Sequence, residues 1–252
     1  MIKIIMGKCE GCVGRAAADV IEEAVKSNPS AVLGLATGSS PISTYRELIA
    51  RYNAGKISFA GVRSVNLDEY VGLAPDHDQS YAYFMNENLF SHIDIKPENT
   101  NIPSGLAEDA LAECARYDAV VESLGGVDVQ VLGIGNNGHI GFNEPADHFT
   151  KGTGLVKLTD STIDANSRFF ASRDLVPTEA LSMGIGQIMN AKKILLIALG
   201  KGKAEILERA LFGDVTPAVP ASILQFARDV TVCADEAALS VIAEKHPEAL
   251  GV

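Results

Sequence analysis

The feature of this sequence that most constrains its fold is a repeated alternation of short apolar runs with amphipathic stretches. The apolar runs are rich in Val, Ile and Leu and mostly lack polar–apolar alternation, which is typical of parallel strands buried on both faces. The predicted strands are Ile2–Met6, Ala31–Ala36, Val62–Leu67, Val127–Ile134, Lys193–Leu199 and Asp229–Ala234, and the predicted helices are Gly11–Ser27, Pro41–Tyr52, Ser80–Phe90, Ala107–Leu124, Lys203–Phe212 and Glu236–Lys245. This order predicts an α/β fold with a Rossmann-like, doubly wound, mostly parallel sheet and helices on both faces.

A chain of 252 residues suits a single domain with one core. One segment, from Pro145 to Arg173, interrupts the alternation because it is long and polar and contains Gly152 and Gly154. It is interpreted either as a lid over a ligand site or as an ordinary surface insertion.

The net charge of −11 argues against nucleic acid or an anionic membrane as a partner, since both would be repelled. Any phosphorylated ligand must therefore be held by local groups. No run of 18 apolar residues and no export signal is found, so we predict no membrane span and a cytoplasmic location.

Four cysteines do not form the disulfide framework of a small secreted domain. Cys9 and Cys12 form a Cys-x-x-Cys, which could be redox-active or half of a zinc site. Cys114 and Cys233 are isolated, however, and no second Cys-x-x-Cys or His-x-x-x-His completes a zinc set. We expect no metal site, and we interpret Cys9 and Cys12 as two small side chains near the start of the first helix.

Ligands of such sheets bind beyond the carboxyl ends of the strands. The first of these ends reads Thr37-Gly38-Ser39-Ser40-Pro41. Gly38 permits a tight turn, Ser40 is a good helix N-cap and Pro41 suits the first helical position, so backbone N–H groups and hydroxyls would meet a phosphate there. The nucleotide P-loop and dinucleotide glycine patterns are absent, which disfavours ATP and NAD.

Two further strand ends carry acid–base side chains. Asp68 and Glu69 follow a hydrophobic strand, and in an extended chain only one of them need face the cleft. The segment Gly133–Pro145 contains four glycines within nine residues, together with His139 and Glu144. Glycine lets the backbone approach a ligand, and the histidine and carboxylate form a candidate proton shuttle.

In order and spacing, five segments together resemble those of glucosamine-6-phosphate deaminases, and the resemblance extends over essentially the whole chain. These segments are Gly34–Tyr45, Asn66–Leu73, Gly133–Pro145, Ala165–Phe170 and Ala198–Ala204. The resemblance implies a Rossmann-like fold, a sugar-phosphate substrate, and conversion of glucosamine 6-phosphate and water to fructose 6-phosphate and ammonia. It implies no metal and no organic cofactor.

The resemblance also implies roles for individual residues. Asp68 matches the base that moves the C2 proton to C1, His139 matches the ring-opening residue, and Glu144 matches the carboxylate that orients it. Asn137 stands where some members carry Asp, so we expect it to form hydrogen bonds rather than relay charge. The implied phosphate ligands are the backbone of Gly38 and the side chains of Ser39, Ser40, Arg168 and Lys203.

Two alternatives remain at this point. A 6-phosphogluconolactonase typically has Arg at the position of Tyr70, and Thr-Ala at the positions of Ile140 and Gly141. A sugar-phosphate sensor should carry a basic helix-turn-helix, which neither charge nor length accommodates.

Allosteric deaminases place basic residues where this chain has Lys151–Val156, a stretch of glycine and apolar residues after its first lysine. We therefore expect no strong activation by N-acetylglucosamine 6-phosphate, and a monomer or a homo-oligomer.

Overall fold

The computed structural model describes residues 2–251, which form ten strands, eight α-helices and several short 3₁₀ turns. The strands are β1 (Ile2–Gly7), β2 (Val32–Leu35), β3 (Arg63–Asn66), β4 (Asp68–Tyr70), β5 (Thr100–Asn101), β6 (Val129–Leu132), β7 (Gly154–Lys157), β8 (Glu179–Ser182), β9 (Lys193–Ala198) and β10 (Val230–Asp235). The helices are α1 (Glu10–Ser27), α2 (Ile42–Asn53), α3 (Tyr81–Asn88), α4 (Ala110–Ser123), α5 (Asp160–Asn166), α6 (Ile185–Met189), α7 (Ala204–Phe212) and α8 (Ser240–Lys245).

Seven strands form one parallel sheet in the order β1-β10-β9-β6-β2-β3-β5. From β2 the chain builds outward through β3 to β5, and from β6 it builds in the opposite direction through β9 to β10. This reversal between β2 and β6 confirms the doubly wound fold and marks the crevice where such sheets bind ligands.

A second, three-stranded antiparallel sheet, in the order β4-β8-β7, was not predicted. The chain crosses between the two sheets at Leu67, whose N–H donates to Leu35 of the large sheet while its carbonyl accepts from Met183, next to the small one. Asp68 is therefore the first residue of the small sheet and lies immediately beside the large one.

The main core fills the space between the large sheet and its helices. In α1, for example, Val13, Ala17, Ile21 and Val25 recur at the spacing of one helical face, and all four are buried. A smaller apolar cluster lies under the second sheet and contains Tyr70, Phe142, Leu158, Ile163, Val176 and Ala180.

All six predicted strands and all six predicted helices are present, with shifted ends. The predicted cap of α2 is wrong, because the helix starts at Ile42 with Pro41 as its N-cap residue and no side-chain cap bond. The Ser40 hydroxyl lies instead near Gly133, 3.5 Å from where a Cβ would be. The excursion from Pro145 to Arg173 does leave the large sheet and supplies β7 and α5. Among residues 2–251, no helix has the length and apolar character needed to cross a bilayer.

Candidate active site

The loop after β2 and the loop after β6 meet at the reversal point of the large sheet. Gly38 has φ 84°, a left-handed conformation that glycine adopts without strain. Ser39 is exposed and Ser40 half-buried. Since Ser40 approaches Gly133 at the end of β6, the hydroxyls and free N–H groups of this loop stand beside the second loop.

Asp68 and Glu69 are both buried on β4, but their environments differ. The Glu69 carboxylate accepts backbone N–H groups of Tyr70, Tyr81 and Ala82 at 2.8–2.9 Å, and it thereby binds the first turn of α3. Burial raises the pKa of Glu69, and these three donors oppose that effect. Glu69 is thus a structural residue, as expected if only one of the two carboxylates faces the cleft.

Asp68 lacks such donors: within residues 2–251, no hydrogen bond to its carboxylate is present. Burial, reinforced by the negative charge of Glu69, raises the pKa of Asp68 to about 8. Its Oδ2 atom lies 3.7 Å from the position that a Cβ on Gly141 would occupy. A carboxyl group poised to exchange protons near neutral pH therefore lies beside the histidine loop.

The loop after β6 is shaped to hold His139. Its turn is closed by hydrogen bonds from the Gly138 N–H to the Gly135 carbonyl and from the Gly135 N–H to the His139 carbonyl. A Cβ on Gly135 would lie 2.3 Å from Cε1 of His139, so the imidazole packs flat against a bare backbone. The His139 side chain is 23% exposed, which leaves part of the ring open to a ligand.

Glu144 is the acidic neighbour of His139, with its Oε2 atom 3.5 Å from Nδ1. Asn137 donates to the same oxygen at 2.7 Å and accepts the backbone N–H of His139 at 3.2 Å. The Thr162 hydroxyl donates to Oε1, and Thr159 lies 3.3 Å from it. Burial raises the pKa of Glu144, but the imidazole of His139 and the hydrogen bonds from Thr162 and Asn137 lower it to about 2. The carboxylate is therefore ionised at neutral pH.

Asn137 occupies the position expected for a hydrogen-bonding residue. Its amide group spans the loop, since its nitrogen contacts the carboxylate of Glu144 and its oxygen contacts the backbone of His139. An aspartate could not donate the first of these bonds when ionised.

Arg168 and Lys203 lie on separate 3₁₀ turns, Ser167–Phe169 and Lys201–Lys203. Burial, and to a lesser extent the charge of Arg168, lowers the pKa of Lys203. The Lys203 ammonium donates to Asn136 in the loop after β6 at 2.6 Å. Arg168 is exposed and stacks on Phe169, 4.6 Å from the ring centroid, and Phe169 lines the same cavity as Gly38 and Ser39. Two cations around these loops suit a dianionic ligand.

Three residues around the site, Tyr70, Asn166 and Thr162, were not predicted to be part of it, and Tyr70 was used only to distinguish the chain from a lactonase. Tyr70 packs against the rings of Tyr81, Phe142 and Phe170, and its hydroxyl accepts a 3.0 Å hydrogen bond from Asn166. Tyr70 was visible in the sequence, next to Asp68 and Glu69. Asn166 and Thr162 gave no comparable signal, because their contacts depend on how the excursion folds back.

Two cavities flank these groups. One, of about 120 Å³, is bounded by Gly38 and Ser39 on one side and by Tyr70, Tyr81 and Asn166 on the other. The second, of about 280 Å³, lies behind Glu144. Neither Asp68 nor His139 lines either of these two cavities. No group of three or more His, Cys, Asp or Glu side chains placed to hold a metal occurs within residues 2–251.

Similarity to known proteins defines the class to which this chain belongs. The sequence matches the family of glucosamine-6-phosphate isomerases and 6-phosphogluconolactonases over residues 12–233. The chain belongs to this family, and the fold and family predicted from the sequence are confirmed.

Within the family, curated relatives share half or more of their residues with this chain. A glucosamine-6-phosphate deaminase of Lachnoclostridium phytofermentans is 58% identical over 92% of this chain and 98% of the relative. Another, from Clostridioides difficile, is 50% identical over 97% and 98%. A solved structure of a monomeric glucosamine-6-phosphate deaminase is 46% identical with a TM-score of 0.93, covering 95% of this chain and 99% of that one. A 6-phosphogluconolactonase from Trypanosoma brucei, 18% identical with a TM-score of 0.76 over 98% and 99% of the two chains, shares the fold.

Proposed function

We propose that this protein is an enzyme that converts glucosamine 6-phosphate and water to fructose 6-phosphate and ammonia. The observation that carries the proposal is the position of Asp68. Its carboxylate is buried, receives no hydrogen bond from the described residues and lies beside the loop of His139. The named deaminases at 50–58% identity support the same reaction.

The phosphate anchors the sugar in this proposal. The backbone of Gly38, the hydroxyls of Ser39 and Ser40, and the side chains of Arg168 and Lys203 bind it. A net charge of −11 gives no general attraction for a dianion, so binding depends on these local groups.

Ring opening comes first, because the C2 proton becomes acidic only when C1 is an open-chain aldehyde. His139 takes the proton of the anomeric hydroxyl and passes it to the ring oxygen. The imidazolium that forms in between is stabilised by the ionised carboxylate of Glu144, 3.5 Å away. Asn137 and Thr162 hold that carboxylate in place.

Enolisation follows. Asp68, as the carboxylate, removes the C2 proton while the substrate's ammonium group passes a proton to the C1 oxygen, which gives an enolamine. Asp68 then delivers to C1 the proton that it took from C2, which leaves a protonated imine at C2. Water then adds to C2 and ammonia departs, so that fructose 6-phosphate remains. The raised pKa of Asp68 makes it a stronger base than an exposed carboxylate and also lets it carry the proton between the two carbons.

Two positions distinguish this site from the lactonase alternative. Lactonases typically have Arg at the position of Tyr70. Tyr70 brings no positive charge to the site and instead packs against the rings of Phe142 and Phe170. Gly141 has φ 57°, and a Cβ there would lie 3.1 Å from the Ser182 hydroxyl, so the alanine typical of lactonases would be strained and crowded.

The test is ammonia release with coupled detection of fructose 6-phosphate, comparing the wild type with Asp68→Asn. We expect turnover that falls by about 10²–10⁴-fold in the variant, the range that a general base contributes. Asp214→Asn, at an exposed position, is the matched control and should retain full activity. Hydrolysis of 6-phosphogluconolactone without any ammonia release would instead assign the chain to the lactonase activity.

We further propose that the chain is active as a monomer in the cytoplasm. The support for the monomer is that the 46% identical solved deaminase is monomeric. Light scattering at assay concentrations tests the first part, and an active homo-oligomer would contradict it. The location stays a prediction from the sequence.

A further inference from the structure

The Cys-x-x-Cys pair lies outside the site and has a geometry that its sequence alone did not reveal. Cys9 is the N-cap residue of α1, and its Sγ accepts the backbone N–H of Cys12 at 3.2 Å. Cys12 lies one turn on, and its Sγ accepts a 3.3 Å hydrogen bond from the guanidinium of Arg15. Both thiols are free, Cys9 is exposed and Cys12 is half-buried.

This arrangement favours a thiolate on Cys9. Its pKa is lowered by hydrogen bonds from the Cys12 side chain and backbone, and further by the charge of Arg15. The positive end of the 18-residue helix α1 acts in the same direction. A lowered pKa together with exposure is the environment of reactive cysteines.

The other two cysteines provide an internal contrast. Cys114 and Cys233 are buried, and burial raises the pKa of both, that of Cys233 to about 12. Buried thiols in apolar surroundings are inert. Thiol chemistry of the folded protein should therefore be confined to Cys9 and Cys12.

We propose that Cys9 and Cys12 form a reversible dithiol–disulfide pair that exchanges with a disulfide of the type R–S–S–R. The Cys9 thiolate attacks one sulfur of the reagent and releases RS⁻, which leaves a mixed disulfide on Cys9. Cys12, as its thiolate, then attacks Cys9 Sγ and releases the second RS⁻. The pair loses two electrons and two protons, and the reagent is reduced to two thiols. In a reducing compartment such pairs are transient or redox-sensing rather than structural.

The experiment equilibrates the full-length protein with buffers of reduced and oxidised glutathione, quenches it by alkylation, and measures intact and peptide masses. We expect two thiols to disappear together, with a Cys9–Cys12 disulfide that excess reduced glutathione reverses. Cys12→Ser should stop at a glutathione adduct on Cys9. Cys9→Ser should react about tenfold more slowly, because the remaining thiol is half-buried and loses its thiol partner.

Serine is itself a good N-cap, so Cys9→Ser preserves the start of α1 and is a matched variant. Unfolding midpoints of both variants within error of the wild type would show that the fold is intact. Glutathione adducts in the wild type without ring closure would overturn the proposal. So would alkylation of Cys9 no faster than that of Cys114 or Cys233.

Discussion

Replacing Asp68 with Asn should lower turnover by about 10²–10⁴-fold and, at neutral pH, stabilise the fold. Asp68 is 6% exposed, lies next to the buried carboxylate of Glu69, and accepts no hydrogen bond from the described residues. Its pKa is raised to about 8 from an ordinary value of 3.8. The folded protein therefore keeps a proton on Asp68 at pH values where the unfolded chain has released it.

The sign and size of the effect follow from this difference. Unfolding releases a proton between pH 3.8 and pH 8, so the free energy of unfolding falls as pH rises through this window, by about 1.36 kcal/mol per unit. At pH 7 the loss is about 4 kcal/mol. Asn removes the titration but buries an amide that lacks partners, at about 1–3 kcal/mol. The net gain of Asp68→Asn should thus be small near pH 5.5 and increase by about 2–3 kcal/mol by pH 7.5.

The assay is urea unfolding of the wild type and Asp68→Asn at a series of pH values, combined with the pH dependence of wild-type kcat/KM. The acidic limb of kcat/KM should have an apparent pKa near 8. Glu69→Gln is the control: it should destabilise the protein because three backbone donors lose a charged acceptor, and it should move the acidic limb to lower pH. Parallel stability curves for wild type and Asp68→Asn, with an acidic limb near pH 4, would refute the reasoning.

Three further predictions concern the rest of the site. Gly135→Ala should lower kcat by about tenfold or more because the added methyl displaces the imidazole of His139. Far-UV circular dichroism should change little. An unchanged kcat would contradict the packing of His139 on Gly135. Arg168→Ala and Lys203→Ala should each raise KM by about 10–100-fold. Because both side chains bind one phosphate, the rise in KM of the double variant should be smaller than the product of the two single effects, and inhibition by inorganic phosphate should weaken in parallel. A rise equal to the product would argue against a shared anion. Glu144→Gln should lower kcat by about 10²-fold and reduce the free energy of unfolding by about 1–3 kcal/mol at pH 7. Because the pKa of Glu144 is lowered from 4.5 to about 2, this stability difference should begin to decrease below pH 4.5 and vanish only near pH 2.

Six of the seven strands of the large sheet could be predicted from the sequence because they lie in mainly apolar runs, whereas the two-residue β5 was missed. β2 and β6 are buried at every residue, so their composition alone distinguishes them. The small sheet could not be predicted. β4 is three residues long and reads Asp-Glu-Tyr, and β7 alternates between half-buried and exposed positions. The pairing of β7 with β8 depends on the path of the excursion from Pro145 to Arg173.

The candidate site could likewise be predicted only in part from the sequence. Asp68, His139 and Glu144 follow predicted strands, so their common position at one sheet edge was expected from topology. The hydrogen bond from the Thr162 hydroxyl to Glu144 was not expected, because Thr162 belongs to α5 in the excursion. Ser40 was misassigned as a helix cap because its neighbour Pro41 usually occupies the first helical position, whereas here Pro41 itself precedes the helix.

The order of strands in the large sheet also bears on how the protein is made. Within residues 2–251, β1 lies at the edge of the sheet and pairs with β10 alone, while β9 and β10 stand between β1 and β6. During synthesis β1 is therefore made more than 200 residues before β10, the strand with which it pairs. Until then an apolar edge is open to other chains, and sheets closed by such distant segments fold slowly. Nascent chains of this protein should therefore need shielding during synthesis more than those of a helical bundle of similar length.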